Sequence, residues 1–225
     1  MQRILNFFLP IILGMAMLAG SLTAQQFAYS VNYSFDLKDA TDAPKLGKLP
    51  RIEFPDEAVK KGIDGKMVVD VTLSADGKVG GIEFLESLPF GYEDEIRDAF
   101  RTFEFTPASN KGTAIDVVLR VEYVVTIAFE AHDPRIEKPD VTSRPGPVYP
   151  LIDGSDAPSG DVSVNVLLMK DGKVRIVSIE SELPEAFKDS AREAASRIEF
   201  TPATLKDSKR PVTVTMKIAY AFKQR

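Results

Sequence analysis

The sequence contains no cysteine, no tryptophan and a single histidine, His132. Without cysteine the fold cannot depend on disulfide bonds, and one histidine cannot supply the usual ligand set of a zinc site. Lysine and arginine (28) are outnumbered by aspartate and glutamate (33) and are mixed with them along the chain. No basic stripe of the kind that neutralises nucleic-acid phosphates is present. We therefore expect neither a bound metal ion nor a nucleic-acid partner.

Motifs of catalytic chemistry are also absent, since there is no glycine-rich phosphate loop and no nucleophile elbow. Glu93, Asp94 and Glu95 form an acidic cluster, but they open a predicted helix, where the helix dipole favours anions. The pairs Asp76-Gly77 and Asp171-Gly172 lack the alternating acids and closing glutamate of a calcium loop. The sequence predicts no enzymatic activity and no cofactor.

One long apolar run lies near the N-terminus, over residues 4–22. It follows Arg3, contains Pro10 and two glycines, and precedes the small residue Ala24. This pattern is typical of a secretory signal peptide, residues 1–24, that is cleaved after Ala24. The alternative is an uncleaved membrane anchor, because the run is nearly long enough to span a bilayer.

The remainder of the chain contains an internal duplication. Asp76-Gly77-Lys78-Val79 recurs 95 residues later as Asp171-Gly172-Lys173-Val174, and Glu104-Phe105-Thr106-Pro107-Ala108 recurs at residues 199–203. At this single offset, 21 of the 65 positions in residues 44–108 are identical to their counterparts. Such agreement indicates a repeated structural unit.

The repeat divides the chain into two domains, residues 44–132 and residues 133–225, each large enough for its own core. Residues 25–43 precede them as an N-terminal strand and connector. Apolar and polar residues alternate over residues 27–37, which predicts a half-buried strand. Shifted by 95, this strand corresponds to residues 122–132, so the long strand that closes the first unit is interpreted as also opening the second.

Hydrophobic periodicity predicts the same order of elements in both domains. For the first domain these are a short helix at residues 55–65 ended by Gly62, strands at 67–73 and 79–85, a helix at 92–103 and a strand at 115–129. For the second they are strands at 162–168 and 174–179, a helix at 186–198 and a strand at 212–222, with a loop at 151–160 in place of the short helix. Gly77 and Gly172 are placed where a two-residue hairpin requires positive φ. The predicted fold class is α+β, with two tandem β-β-α-β units, each an antiparallel sheet with a helix on one face.

The ordered set of motifs resembles the C-terminal domain of TonB. The set consists of Phe54-Pro55 or Tyr149-Pro150, then Gly65-Lys66-Met67-Val68-Val69, the Asp-Gly-Lys-Val turns, and a helix that runs into Phe-Thr-Pro-Ala. It occurs twice and covers nearly the whole chain after residue 43. The resemblance implies a periplasmic protein of a Gram-negative bacterium. It also implies binding of outer-membrane TonB-dependent receptors, a short segment of which is added as a strand beside the last strand of the domain.

A full energy transducer of this kind also carries an N-terminal helix and a long proline-rich rod. Only 19 residues separate Ala24 from Pro44, and at about 3.4 Å each they reach roughly 65 Å when fully extended. They contain no Lys-Pro or Glu-Pro tract. We therefore interpret the protein as a soluble or short-tethered adaptor that recognises extended segments of envelope proteins.

The predicted partner-binding residues lie on the last strand and are Thr213, Val214, Thr215, Met216 and Lys217. Soluble proteins usually protect strand edges with charge, proline or cover, whereas this strand offers only Lys217 as an outward charge, flanked by Thr213 and Thr215. Its counterpart in the first unit is expected to be occupied by pairing between the domains. The alternative function is a self-associating structural or assembly protein of the envelope; the predicted oligomeric state is a monomer or weak dimer.

Overall fold

The computed structural model describes residues 4–7, 26–150 and 158–223. These residues form three α-helices and sixteen β-strands, which confirms the mixed α+β class. The chain divides into two compact units, with Phe27–Ile127 in unit 1 and Ala128–Arg225 in unit 2. In the described ranges no helix has the length and apolar character needed to cross a membrane. The predicted signal peptide, apart from residues 4–7, and most of the predicted loop at 151–160 lie outside the described residues.

Unit 1 is built around four long strands and two helices. Its elements are β1 (Ile4–Phe7), β2 (Gln26–Asp36), β3 (Lys45–Leu46), α1 (Asp56–Lys60), β4 (Gly65–Leu73), β5 (Val79–Glu86), α2 (Tyr92–Phe100), β6 (Phe105–Thr106), β7 (Ala108–Asn110), β8 (Thr113–Ile115) and β9 (Val117–Glu130). Strand β4 lies between β5 and β9 and is antiparallel to both. Strand β2 is hydrogen-bonded to β9, and β1 pairs with β2.

The helices of unit 1 begin and end where the local sequence requires. Helix α1 is followed by Gly62, whose φ of +58° ends it as predicted. Helix α2 starts after Gly91 and buries Tyr92, Ile96 and Phe100. It ends at Phe100 rather than at the predicted Phe103, because the Phe103 N–H bonds to the carbonyl of Phe100 in a turn.

The long strand predicted over residues 115–129 is interrupted at Asp116. The Asp116 carboxylate accepts a hydrogen bond of 2.7 Å from the N–H of Ala75 in the β4–β5 loop. The residues before the break form a hairpin of β7 and β8, with Lys111 and Gly112 at φ of +48° and +85°. Positive φ at both central residues is the requirement of a type I′ turn.

Unit 2 repeats this plan. Its elements are the last three residues of β9, β10 (Ile136–Glu137), β11 (Asp140–Ser143), β12 (Gly160–Leu168), β13 (Val174–Glu180), α3 (Glu185–Ser196), β14 (Glu199–Thr201), β15 (Ala203–Leu205) and β16 (Pro211–Phe222). Strand β12 lies between β13 and β16, antiparallel to both. Helix α3 packs on β12 and β13 and buries Phe187, Ala191 and Ala194 against the valines of β12.

The hairpin loops at both Asp-Gly pairs contain three residues rather than the predicted two. The Ser74 N–H bonds to the Lys78 carbonyl, and the Gly77 N–H bonds to the Ser74 carbonyl. The second repeat shows the same pair of bonds around Gly172. A type I turn followed by a left-handed glycine has this pattern, so the predicted positive φ is present, at +81° and +82°, in a different turn.

The offset of 95 residues changes after the helices. Lys45 pairs with Thr106 and Asp140 with Thr201, as one offset requires. Gly65, however, pairs with Val125, while its counterpart Gly160 pairs with Phe222 instead of Tyr220. The connection before β16 is therefore two residues longer than the one before β9, and Tyr220 is the structural counterpart of Tyr123.

Candidate protein-binding edge

Strand β16 is paired along one side and only partly along the other. On its β12 side, residues 214–222 are in continuous antiparallel register. On the opposite side, residues 213–215 pair in parallel with residues 128–130. Pro211 and Val212, which precede the β12 pairing, pair with β15. Within the described part of the chain, residues 216–222 have a strand neighbour only on the β12 side. We call residues 216–222 the open edge.

The direction of the main chain along the open edge follows from one contact. The guanidinium of Arg144 donates a hydrogen bond of 2.5 Å to the carbonyl of Ala219, so this carbonyl faces away from β12. In an extended strand the N–H and C=O of one residue point to the same edge and alternate along the chain. The register with β12 has no shift. The main-chain groups of Lys217, Ala219 and Ala221 therefore face the open edge.

The five predicted partner-binding residues lie on β16 but divide into two groups. Thr213, Val214 and Thr215 are covered on the far side by residues 128–130. Thr213 is fully buried, and its Oγ1 accepts a hydrogen bond of 3.3 Å from the N–H of Lys170, so it does not face solvent as the alternation suggested. Only Met216 and Lys217 lie on the open edge.

The side chain of Lys217 is directed over the face of the sheet. Its Nζ lies 2.8 Å from Oε2 of Glu180, and the amide of Asn165 donates to Oε1 of the same carboxylate at 2.9 Å. The Lys217 ammonium and the Asn165 amide hold the pKa of the Glu180 carboxyl below its usual value. The ammonium of Lys217 is thus paired with Glu180 of β13. The main chain of Lys217 remains open to a partner.

Arg144, which sequence reasoning did not single out, is the residue that contacts the open edge. It follows β11, and its guanidinium carbon lies 5.2 Å from the ring centroid of Tyr220 as well as bonding to Ala219. Burial raises the pKa of the Tyr220 hydroxyl, and the Arg144 charge opposes that rise. No sequence pattern identifies an arginine in a proline-rich loop as an edge contact, because the contact depends on tertiary structure.

In unit 1 the corresponding edge is covered by β2. Strand β4 fills one side of residues 117–125 of β9, so β2, which is also hydrogen-bonded to β9, pairs along the other side. Asp36 lies beside Val117 and Val118 in a small cleft, and the ring of Tyr29 lies 6.2 Å from that of Tyr123. Because the later residue of β2, Asp36, lies near the start of β9 and the earlier residue, Tyr29, lies farther along it, β2 runs antiparallel to β9. The edge is closed by the N-terminal strand, not by the domain pairing expected from the sequence.

The other candidate chemistry of the sequence does not form a site. His132 is 82% exposed, and its Nε2 contacts Oε2 of Glu130 at 2.9 Å. Glu93, Asp94 and Glu95 lie in the first turn of α2. Across the described ranges, no three or more His, Cys, Asp or Glu side chains are grouped to hold a metal ion.

Comparison with known proteins gives matches to both repeats. A family model described as Gram-negative bacterial TonB protein C-terminal matches residues 50–129 and again residues 145–223. The solution NMR structure of the Pseudomonas aeruginosa TonB C-terminal domain is 25% identical, over a match that covers 42% of this chain and 91% of that chain, with a TM-score of 0.28. No curated protein matches the sequence. Strand β2 precedes both family matches.

Proposed function

Because the chain belongs to the TonB C-terminal family and contains two tandem copies of its domain, we propose that it is a periplasmic module that binds extended segments of envelope proteins, including outer-membrane TonB-dependent receptors. The family is one of protein-interaction domains of the cell envelope. Unit 2 is the proposed binding unit, and the open edge of β16 is the proposed site.

The observation that supports this proposal most directly is the open edge itself. The main-chain N–H and C=O groups of Lys217, Ala219 and Ala221 face outward, and a partner segment in extended conformation would pair with them as an added strand. Each main-chain hydrogen bond contributes about 0.5–1.5 kcal/mol net. Pairing along the whole edge is therefore sufficient for a weak, reversible complex, as an adaptor requires.

A proline substitution at Lys217 tests the site. Lys217→Pro removes one outward N–H and places the proline ring at the edge, whereas Lys217→Ala removes the same side chain but keeps the N–H. Protein immobilised through its C-terminus is incubated with outer-membrane extract, and captured receptors are identified by mass spectrometry. We expect Lys217→Pro to lower the affinity for a captured receptor about tenfold and Lys217→Ala to leave it nearly unchanged.

Circular dichroism shows whether each variant is folded before its affinity is compared. Equal affinities of folded Lys217→Pro and wild-type protein would exclude recognition through this edge. The same open edge also suits pairing between copies of the chain, which is the second candidate function. Sedimentation velocity over a wide concentration range separates the two, because an adaptor stays monomeric while a self-assembling protein gains mass with concentration.

A further inference from the structure

Tyr123 and Tyr220 hold equivalent positions in the two units but have different neighbours. In unit 1, the ring of Tyr29 from β2 lies 6.2 Å from the rings of both Tyr123 and Phe54. Phe54 and Tyr149 are counterparts at the offset of 95. In unit 2 the ring of Tyr149 packs instead against Phe187 and Phe222, at centroid distances of 5.1 and 6.2 Å, so Tyr220 is the equivalent residue that remains beside the open edge.

No strand covers Tyr220 along the open edge in the described part of unit 2, and the guanidinium of Arg144 lies over its ring instead. The same guanidinium occupies the carbonyl of Ala219. Residue 49, the counterpart of Arg144, is Leu49 and cannot make these bonds. Arg144 thus contacts both the ring of Tyr220 and the carbonyl of Ala219 with one side chain. In unit 1, the whole strand β2 covers the equivalent edge of β9.

We propose that the partner strand of unit 2 binds antiparallel to β16, displaces Arg144, and places an aromatic side chain on Tyr220 as Tyr29 is placed on Tyr123. The occupant is an extended segment of an envelope protein with alternating apolar residues, of which one is aromatic. Strand β2 is its template, because Val31 and Phe35 are buried at 3% and 4% exposure while the residues between them are only partly buried. This inference rests on the proposed function and specifies the partner of that site.

The test uses a fluorescent peptide with the sequence of residues 26–36 and the full-length protein. We expect the peptide to bind, and the same peptide with Tyr29→Ala to bind about tenfold more weakly, since an aromatic contact is lost. Arg144→Ala in the protein removes the competing guanidinium, so the wild-type peptide should bind about fivefold more tightly. Arg175→Ala, an exposed arginine on β13, serves as the matched control and should leave the affinity unchanged.

Two further measurements fix the place and direction of binding. Lys217→Pro should weaken peptide binding, because the peptide pairs with the open edge of β16. Binding by exchange with β2 in unit 1 would not depend on Lys217, so the two binding places can be told apart. A spin label at the C-terminus of the peptide should broaden NMR signals near Met216, and one at the N-terminus should broaden those near Phe222. The reverse pattern would show a parallel strand and overturn the proposed direction.

The outcomes separate this inference from the proposed function. If binding is lost with Lys217→Pro but is indifferent to both Tyr29→Ala and Arg144→Ala, the edge binds partners and the aromatic anchor is wrong. Failure of the peptide to bind, or binding that does not respond to Lys217→Pro, also overturns β2 as the template, while receptor capture still tests the edge. If the full chain dimerises and the peptide dissociates the dimer, the occupant is a second copy and not an envelope segment.

Discussion

Gly77 and Gly172 occupy the same position in two hairpin loops, at φ of +81° and +82°. A Cβ added at either glycine would meet no atom within 4 Å, so any cost of substitution arises from the backbone alone. We expect Gly77→Val or Gly172→Val to lower the free energy of unfolding by roughly 1–2 kcal/mol, because a β-branched residue is strained at positive φ. Urea unfolding measures the loss.

Asparagine provides the matched control at both positions, since it tolerates the left-handed region better than other non-glycine residues. Gly77→Asn and Gly172→Asn should therefore retain most of the stability that the valine variants lose. If valine and asparagine variants unfold together with the wild type, the loops do not require the left-handed conformation.

Asp133 is a buried acid whose ionisation should make the stability of the protein depend on pH. Burial raises the pKa of its carboxyl, but hydrogen bonds from Arg135 at 2.7–3.0 Å and its charge outweigh this and hold the pKa below the ordinary value. A depressed folded pKa means that the carboxylate stabilises the protein above the unfolded value of about 3.9, and that this stabilisation is lost as the pH falls through the folded pKa.

Asp133→Asn should accordingly be less stable than the wild type by about 1–3 kcal/mol at pH 7, and the difference should shrink below about pH 4. Chemical denaturation at pH 7, 5 and 3 measures it. Asp98→Asn, at an exposed ion pair with Arg101, is the control and should differ little from the wild type. A difference for Asp133→Asn that is constant across this range would show that the charge of the carboxylate does not contribute.

Residue-level properties could be predicted where they depend on local sequence, and not where they depend on tertiary contacts. The glycines at positive φ follow from the Asp-Gly pairs, and the acids of α2 follow from the helix dipole. The alternation with Val212 and Val214 predicts that Thr213 faces outward, but the side chain is buried and its Oγ1 accepts a hydrogen bond from the Lys170 N–H. Arg144 reaches Ala219 across 75 residues, and no local pattern encodes such a contact.

At the scale of elements, β16 offers a comparison between two neighbouring outward positions. The main chain of Thr215 faces the same side as that of Lys217 by alternation, but residue 215 is paired there with Glu130. Thr215→Pro should therefore remove a native ladder bond and cost about 1–3 kcal/mol, whereas Lys217→Pro should cost less because its N–H faces the open edge. Urea unfolding of the two variants should give this order, and the opposite order would show that residues 128–130 do not pair with β16.

Periodicity predicted the long elements because their burial is one-sided. Strands β4, β5, β12, β13 and β16 and helices α2 and α3 all alternate or repeat as the sequence indicated. The short strands β6, β7, β14 and β15 have two or three residues each, too few for a period to be detected. The sequence does not predict the change of offset from 95 to 97 residues, because the loops before β9 and β16 show no identity that would reveal the two extra residues.

At the scale of the whole molecule, the duplication was the most informative property of the sequence. It predicted two units of the same family, which the family matches at residues 50–129 and 145–223 confirm. The sequence also predicted a covered edge in unit 1 and an open one in unit 2, but it did not predict the neighbours themselves, β2 beside β9 and Arg144 beside β16. Each neighbour comes from a segment outside the most similar parts of the repeat, so comparing the two copies could not reveal it.

The last prediction concerns the N-terminus and follows from the position of β2. Cleavage of a signal peptide after Ala24 would leave Gln25 as the first residue and keep β2 complete, since this strand begins at Gln26. It would remove residues 4–7, which pair with β2 in the full-length chain. We expect mass spectrometry of the protein from a periplasmic extract to give the mass of residues 25–225. The full-length mass, recovered only with inner membranes, would show instead that the segment is retained as an anchor. That result would support an energy-transducing role.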